Sequence, residues 1–291
     1  MKPAPFEYHR PDDAAGAAEL LADLGEGAKV LAGGQSLVPM LALRLAYFDH
    51  LVDVTRIDEL RGIERRNGHL WIGAGTTDAT VGASAEVAAA APLLTRVTPF
   101  IGHFQIRNRG TIGGSIAHAD PAAEYPAVAL TLDAELDTVS PRGARSIPAT
   151  SFFTGLWSTA LEPDELLTGD RVPVWPGRCG FAVQEFARRH GDFAIAGATV
   201  AVELDGADRV RRCAIGLVGL GSTPKRATVA EAAAVGQTVA DVPTDELGQQ
   251  SVAGLDDVPS DLQGSASFRT RVGAAMVSRA WTAAIEEARS G

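Results

Sequence analysis

The apolar and polar positions of the chain fall into three successive patterns. In the first, Asp12 is placed to cap a helix over about 13–24, where the good helix formers Ala, Leu and Glu dominate. Gly25 and Gly27 end it. A short strand, Lys29-Val30-Leu31-Ala32, runs into Gly33, Gly34 and Ser36, a helical stretch covers about 37–45, and His50-Leu51-Val52-Asp53-Val54 reads as the next strand. This is a β-α-β arrangement. Its strand, glycine turn and helix form the local geometry that aims free backbone N–H groups at an anion.

The second pattern begins near Ile57. Gly68 turns a hairpin between Gly62-Ile63-Glu64-Arg65 and His69-Leu70-Trp71-Ile72-Gly73. An alanine-rich helix is expected over 81–90, Pro92 restarts it, and a further helix ends near Ile106, before Arg107-Asn108-Arg109-Gly110 and a second glycine loop. Alternation in Ala134-Glu135-Leu136-Asp137-Thr138-Val139 marks a strand, and Val172-Pro173-Val174-Trp175-Pro176-Gly177 marks a boundary. The third pattern has strand-like runs at 181–186, 194–204 and 210–218, with Asp205-Gly206 turning the last two. Helices follow at 229–235 and 268–289, separated by a polar, helix-poor stretch at 254–264.

Composition narrows the class. With 291 residues, 46% hydrophobic and 21% charged, the chain has the make-up of a globular protein of two or three modest domains. A net charge of −10 argues against nucleic acid, whose phosphates call for a basic surface. Cys179 and Cys213 are too few to hold an iron–sulfur cluster, and no Cys or Cys/His spacing suggests structural zinc. So few cysteines suggest a reducing compartment, with a single disulfide left open. The N-terminus lacks an apolar signal-peptide core. The most apolar stretch, 30–48, is broken by Gly33, Gly34, Pro39 and Arg44, whereas a span needs about 20 mostly apolar residues. The expectation is a cytoplasmic protein with no membrane span.

Candidate chemistry centres on two loops. Ala32-Gly33-Gly34-Gln35-Ser36 and Thr111-Ile112-Gly113-Gly114-Ser115 each pair adjacent glycines with hydroxyl side chains. Glycine lets a backbone approach a ligand closely or take a positive φ. Each alone equally fits an ordinary glycine–serine turn before a helix; together they suit a ligand with two phosphates. Neither is a P-loop, for no Lys-Ser/Thr follows the glycines, and neither is a Rossmann fingerprint. Gly73-Ala74-Gly75 has Asp78 where the third glycine belongs, and Gly216, Gly219 and Gly221 open no helix, so both sets read as turns. Ser36 lacks the closing glycine of a nucleophile elbow, which sets aside a hydrolase. His118, Asp120 and Glu124 fit metal ligation, acid–base work or, for a carboxylate after a nucleotide loop, a ribose contact. Phe193 fits either a buried core aromatic or a ring against a flat cofactor.

Phe6-Glu7-Tyr8-His9-Arg10-Pro11, the two glycine loops, Gln105-Ile106-Arg107-Asn108-Arg109-Gly110, Ala119-Asp120-Pro121, Arg188-Arg189 with Gly191-Asp192-Phe193-Ala194, Gly264-Ser265-Ala266 with Phe268-Arg269, and Arg279-Ala280 together span the chain. In these motifs it resembles the FAD-binding medium subunit of molybdenum hydroxylases of the carbon monoxide dehydrogenase type, a module also found within xanthine dehydrogenases. The resemblance implies an α+β protein with a p-cresol methylhydroxylase-type FAD-binding fold. Two α/β subdomains, 1–55 and 56–175, would hold FAD between them, and 176–291 would form a three-stranded antiparallel sheet with a helical bundle.

The same resemblance implies cofactor contacts. They are Ala32, Gly33, Gly34, Gln35, Ser36 and Leu37, then Ile101, then Thr111, Ile112, Gly113, Gly114 and Ser115. His118 would line the flavin ring, Asp120 would follow the loop, Glu124 would lie near the adenosine half, Leu166 and Leu167 near the adenine, and Phe193 beside the isoalloxazine. No catalytic side chain or metal is implied. Gln35 stands where the family often has histidine, Ser115 where it often has asparagine or aspartate, and Gln184, Glu185 and Ala187 where a lysine is common. The implied role is electron transfer from 2Fe-2S clusters of a small subunit to an external acceptor, with a molybdopterin large subunit oxidising the substrate, in a heterotrimer that dimerises. A self-sufficient flavin oxidase of a small alcohol or amine and a non-catalytic assembly paralogue are the competing readings.

Overall fold

In a computed structural model that describes residues 2–291, the first helix starts one residue after the position read from sequence. Asp13, not Asp12, is its cap, accepting the Gly16 N–H at 2.7 Å. Strand β1 (Glu7–His9), helix α1 (Ala14–Leu24), β2 (Ala28–Leu31), α2 (Leu37–Ala42) and β3 (His50–Asp53) form the first unit. Its sheet is parallel in the order β1-β3-β2. Helix α1 buries Ala14, Ala17, Ala18 and Leu21, one face at helical spacing, and Gly25 ends it at φ 62°. Helix α2 stops at Ala42, earlier than expected, where Leu43 bonds back into the last turn and Arg44 takes φ 58°.

The second unit runs through β4 (Ile63–Arg66), β5 (His69–Gly73), α3 (Asp78–Ala83), α4 (Ala85–Ala90), α5 (Pro92–Val97), α6 (Phe104–Arg107), α7 (Ile112–His118), α8 (Glu124–Thr131), β6 (Glu135–Ser140), β7 (Gly143–Pro148), α9 (Ala149–Phe152), β8 (Phe153–Gly155), β9 (Ser158–Thr159) and β10 (Leu166–Pro173). Its main sheet is antiparallel, β4-β5-β10-β6-β7. The single helix expected over 81–90 is two helices, because Ser84 turns its hydroxyl to the Val87 N–H at 3.2 Å and caps a new start. The boundary read at 172–177 lies partly inside β10, which continues to Pro173, and Trp175 is buried.

The third unit has β11 (Arg178–Phe186), β12 (Ala196–Leu204), β13 (Val210–Val218), β14 (Lys225–Arg226), α10 (Thr228–Ala234), α11 (Thr244–Val252) and α12 (Ala266–Ser290). The expected three-stranded sheet has a fourth, two-residue edge strand, β14, and α11 was not foreseen because much of its face is polar. The β12–β13 turn takes its left-handed residue at Asp208, φ 57°, instead of at Gly206. Every residue of β12 is buried. Helix α12 covers one face so closely that a Cβ on Gly180 of the neighbouring β11 would collide with the Ala284 carbonyl. On the other side lies α8, itself buried at all eight positions, with Thr131 Oγ1 2.7 Å from Thr199 Oγ1. Both cysteines are free, so the disulfide left open does not form. No helix among the described residues is long and apolar enough to cross a membrane.

In β10, Asp170 pairs in register with Ile72 and Leu136, both fully buried. Its carboxyl oxygens have no hydrogen-bond partner, and burial, with Asp137 nearby, pushes its pKa up to about 8. The native state therefore keeps a proton that the unfolded chain gives up above its ordinary value of 3.8. Stability falls as pH rises between those two values, by at most about 1.4 kcal/mol per pH unit. Asp170→Val should flatten that slope in urea unfolding followed from pH 5 to 8, and raise stability at pH 7.5 by about 1–3 kcal/mol.

Candidate functional site

Glycines bring the two loops together. A Cβ on Gly33 would collide with the Arg109 carbonyl and Gly110, one on Gly113 would collide with Ala74, and one on Gly114 would come within 3.4 Å of Ala32 Cβ. Only glycine allows such approach of backbone to backbone. Residues from the first and second units thus form one surface.

The loops differ in what they offer. In the first, Gly34 takes φ 73°, and the N–H groups of Gly34, Gln35 and Ser36 have no acceptor among the described residues. The Ser36 hydroxyl does not cap α2, and the Gln35 amide folds back to the Gly33 carbonyl at 2.8 Å. In the second loop the donors are taken. Ile112 N–H bonds the Thr76 carbonyl at 3.1 Å, Gly113 N–H the Ala74 carbonyl at 3.0 Å, Gly114 N–H the Thr111 hydroxyl at 3.1 Å, and Ser115 N–H the Thr111 carbonyl at 3.0 Å. The second loop therefore spends two donors docking on residues 74–76 and two within its own first turn on Thr111, since buried backbone must be paired. What it leaves to a ligand is backbone surface and the Ser115 hydroxyl.

Helix α7 ends at His118 and is capped by Ala119 in the left-handed region, φ 54°, which turns the chain into Asp120 and Pro121. Trp157, at the β8–β9 turn with φ 53°, lays its indole parallel to the His118 ring, centroids 6.4 Å apart and 16° between planes. A bulky residue at positive φ costs about 1–3 kcal/mol, which marks a position held for what the side chain does. Burial lowers the His118 pKa below the usual imidazole range; the Lys29 charge lowers it further and Asp120 opposes. Asp120 accepts the Ala122 N–H at 2.9 Å and the Trp157 indole N–H at 3.4 Å. Lys29, in the strand feeding the first loop, pairs with no carboxylate among the described residues and lies 5.9 Å from the centre of the Phe48 ring.

Glu124 begins α8 and is buried. Its pKa is pushed up to about 8 by burial and by Glu185, Asp78 and Asp120. Burial alone lifts Glu185 to about 7; Asp78 also rises to about 7 through burial, against the pull of Arg107. Ile101 packs partly buried on the central core, its carbonyl held by Arg107 at 2.9 Å. Gly191, φ 85°, lies against His103 and Gly102, so the loop carrying Phe193 rests beside Ile101. Phe193 is 58% exposed, which rules out the reading that buried it in the core. Leu166 and Leu167 are buried packing residues, the first with the core of the first unit and the second with the central core. Leu37 opens α2.

Sequence reading missed Lys29, Asp78, Trp157 and Glu185. Asp78 was seen only as the residue that spoils a glycine motif, and Glu185 only as a replaced lysine. His118, Asp120 and Glu124 do not form a metal-binding set; the grouping of that kind among the described residues is Glu7, His9 and His50.

Free donors, an unpaired ammonium and glycine-thinned backbone suit an anion such as a pyrophosphate, and an aromatic lining suits a flat ring. These features fit a dinucleotide-binding site. Residues 4–175 match the family model for the FAD binding domain in molybdopterin dehydrogenase, and 181–284 match the CO dehydrogenase flavoprotein C-terminal domain. The chain is similar to the 6-hydroxypseudooxynicotine dehydrogenase complex subunit alpha of Paenarthrobacter nicotinovorans, at 41% identity over 99% of this chain and 97% of that protein. It is also similar to the carbon monoxide dehydrogenase medium chain of Afipia carboxidovorans, at 39% identity over 96% of each. A solved carbon monoxide dehydrogenase structure from Hydrogenophaga pseudoflava superposes with a TM-score of 0.96 at 39% identity, covering 99% of both chains. The chain belongs to the FAD-binding medium-subunit family of molybdenum hydroxylases. Its cofactor is FAD, and it is a subunit of an oxidoreductase.

His118 should be neutral at pH 7, with an NMR titration midpoint below 6.5. Trp157→Ala, which uncovers the ring, should move that midpoint back toward the ordinary value.

Proposed function

We propose that this chain is the electron-transfer subunit of a molybdenum hydroxylase complex. It takes electrons from the 2Fe-2S clusters of a small subunit and passes them to an external acceptor, while a molybdopterin large subunit oxidises the substrate. The observation that carries this reading is the fusion of two glycine loops into one donor-bearing surface, in a chain similar along its whole length to medium subunits. The assembly is a heterotrimer that dimerises.

The chain's own residues bind and orient. The N–H groups of Gly34, Gln35 and Ser36, the Ser36 hydroxyl and Lys29 hold the pyrophosphate. Ala32, Gly33 and Leu37 shape that loop, and Thr111, Ile112, Gly113, Gly114 and Ser115 give it a close-packed floor. His118, kept neutral, lines the flavin together with Ile101 and Phe193. Asp120 and Glu124 face the adenosine half, and Leu166 and Leu167 pack beneath its adenine end. The 1–55 and 56–175 subdomains enclose the site, and 176–291 closes it where the Gly219 N–H bonds the Pro121 carbonyl at 2.8 Å. Bound FAD supplies the exchange between one-electron and two-electron chemistry.

The untagged chain, given FAD and freed of excess, should keep about one flavin per chain by visible absorbance; loss of the flavin overturns the reading. Gly33→Ala should cut retention by about fivefold to a hundredfold, because the new methyl group overpacks two backbones at about 1–3 kcal/mol. Gly206→Ala, with open space around it, should retain flavin normally. Isolation from the host should bring down a molybdenum-containing and an iron–sulfur partner, whereas reduction by a small alcohol or amine without partners would favour the oxidase reading.

A further inference from the structure

At the opposite end of the first sheet, three side chains that the flavin site does not use converge. Glu7 and His9 are two apart on β1 and therefore share a face. His50 is the parallel register partner of Glu7 on β3. His9 Nε2 lies 3.1 Å from His50 Nδ1, His50 Nδ1 lies 3.6 Å from Glu7 Oε2, and His9 Nε2 lies 3.9 Å from Glu7 Oε2. The two imidazoles are about three-quarters buried, at 25% and 24% side-chain exposure, and Glu7 stays open at 74%.

A single hydrogen bond between the rings would use one proton and leave the carboxylate's approach to both nitrogens unaccounted for. The triangle of lone-pair atoms has edges close to the roughly 3.4 Å ligand separation of tetrahedral zinc with bonds of about 2.0–2.1 Å. We propose that Glu7, His9 and His50 form a divalent-cation site of the zinc class, with its fourth position facing solvent. Two imidazoles and one carboxylate select zinc, copper or nickel over magnesium or calcium, which prefer all-oxygen shells.

The site lies away from the flavin loops by topology. His50 opens β3 and pairs with Ala28 at the start of β2, whereas the first glycine loop leaves the far end of β2. The cation ties down β1, an edge strand of three residues. On the other face of that strand the Tyr8 hydroxyl donates to Asp53. Asp53 pairs with Leu31, the last residue of β2 before the loop. A bound ion therefore stabilises the sheet from which the loop springs, by mass action on the folded state.

The test uses the untagged, FAD-loaded chain, stripped with a chelator and titrated with Zn2+ by calorimetry at pH 7.5. One ion per chain is expected, with no heat from Mg2+, and affinity should fall with acidification because metal ligands must be deprotonated. His9→Gln and His50→Gln, which keep a hydrogen-bonding side chain, should each weaken Zn2+ binding at least tenfold and abolish the rise in melting temperature that zinc gives the parent. Absence of stoichiometric binding, or unchanged affinity in His50→Gln, overturns the proposal. Should the histidine variants lose their flavin, the exposed Glu7→Gln decides: a several-fold loss supports the site, and unchanged affinity counts against it.

Discussion

A backbone laid directly on another backbone is the contact from which the rest of this structure follows. Gly33 rests on Arg109 and Gly110, Gly113 on Ala74, and a Cβ on Gly73 would meet the Leu60 carbonyl at 2.5 Å. Each contact needs the absence of a side chain; the first joins the first unit to the second, and the other two hold the second glycine loop and β5 against their neighbours within the second unit. Interiors packed at this density do not yield gradually, so one added methyl group displaces a whole loop. The same device recurs where α12 lies on Gly180, which fastens the third unit's helix to its sheet. Arg96 on α5 pairs with Glu287 on α12, and that carboxylate also accepts the Phe181 N–H at 2.8 Å, so the second and third units are joined as well.

The electrostatics of the cleft run against the formal charge of the chain. A protein with net charge −10 is a poor host for a pyrophosphate if its carboxylates near the site are ionised. Glu124, Glu185 and Asp78 all have raised pKa values from burial, so the local negative charge is smaller than the composition suggests. Lys29, in the strand that feeds the donor loop, has no carboxylate partner among the described residues, and burial beneath Trp157 lowers the His118 pKa. Burial of α8 on every face accounts for the raised Glu124 pKa, because Glu124 opens that helix in the middle of the molecule.

The amino-acid sequence by itself determined the succession of three patterns, the strands of the third unit's three-stranded core and about half of those before it, the two glycine loops and the family to which they belong; it missed β1, β7 and β10, the last of which is the middle strand of the main sheet. These are local matters: a cap meets the third N–H beyond it, apolar residues recur at three or four, and a glycine pair opens a turn. Some errors were local, as at Asp13 and Ser84, where one carboxylate or hydroxyl set the helix start; the missed strand β10 and helix α11 were larger, since pairing with distant strands and packing against α12 define them. Only the tertiary structure decided which loop keeps free donors, because the acceptors for Ile112 and Gly113 lie at residues 76 and 74 across a packed interface. It also exposed Phe193, raised the Glu124 pKa by burial and set His50 beside His9, 41 residues away. Register between distant strands and the desolvation of a carboxyl depend on what the rest of the chain brings near, and no spacing along the sequence records that.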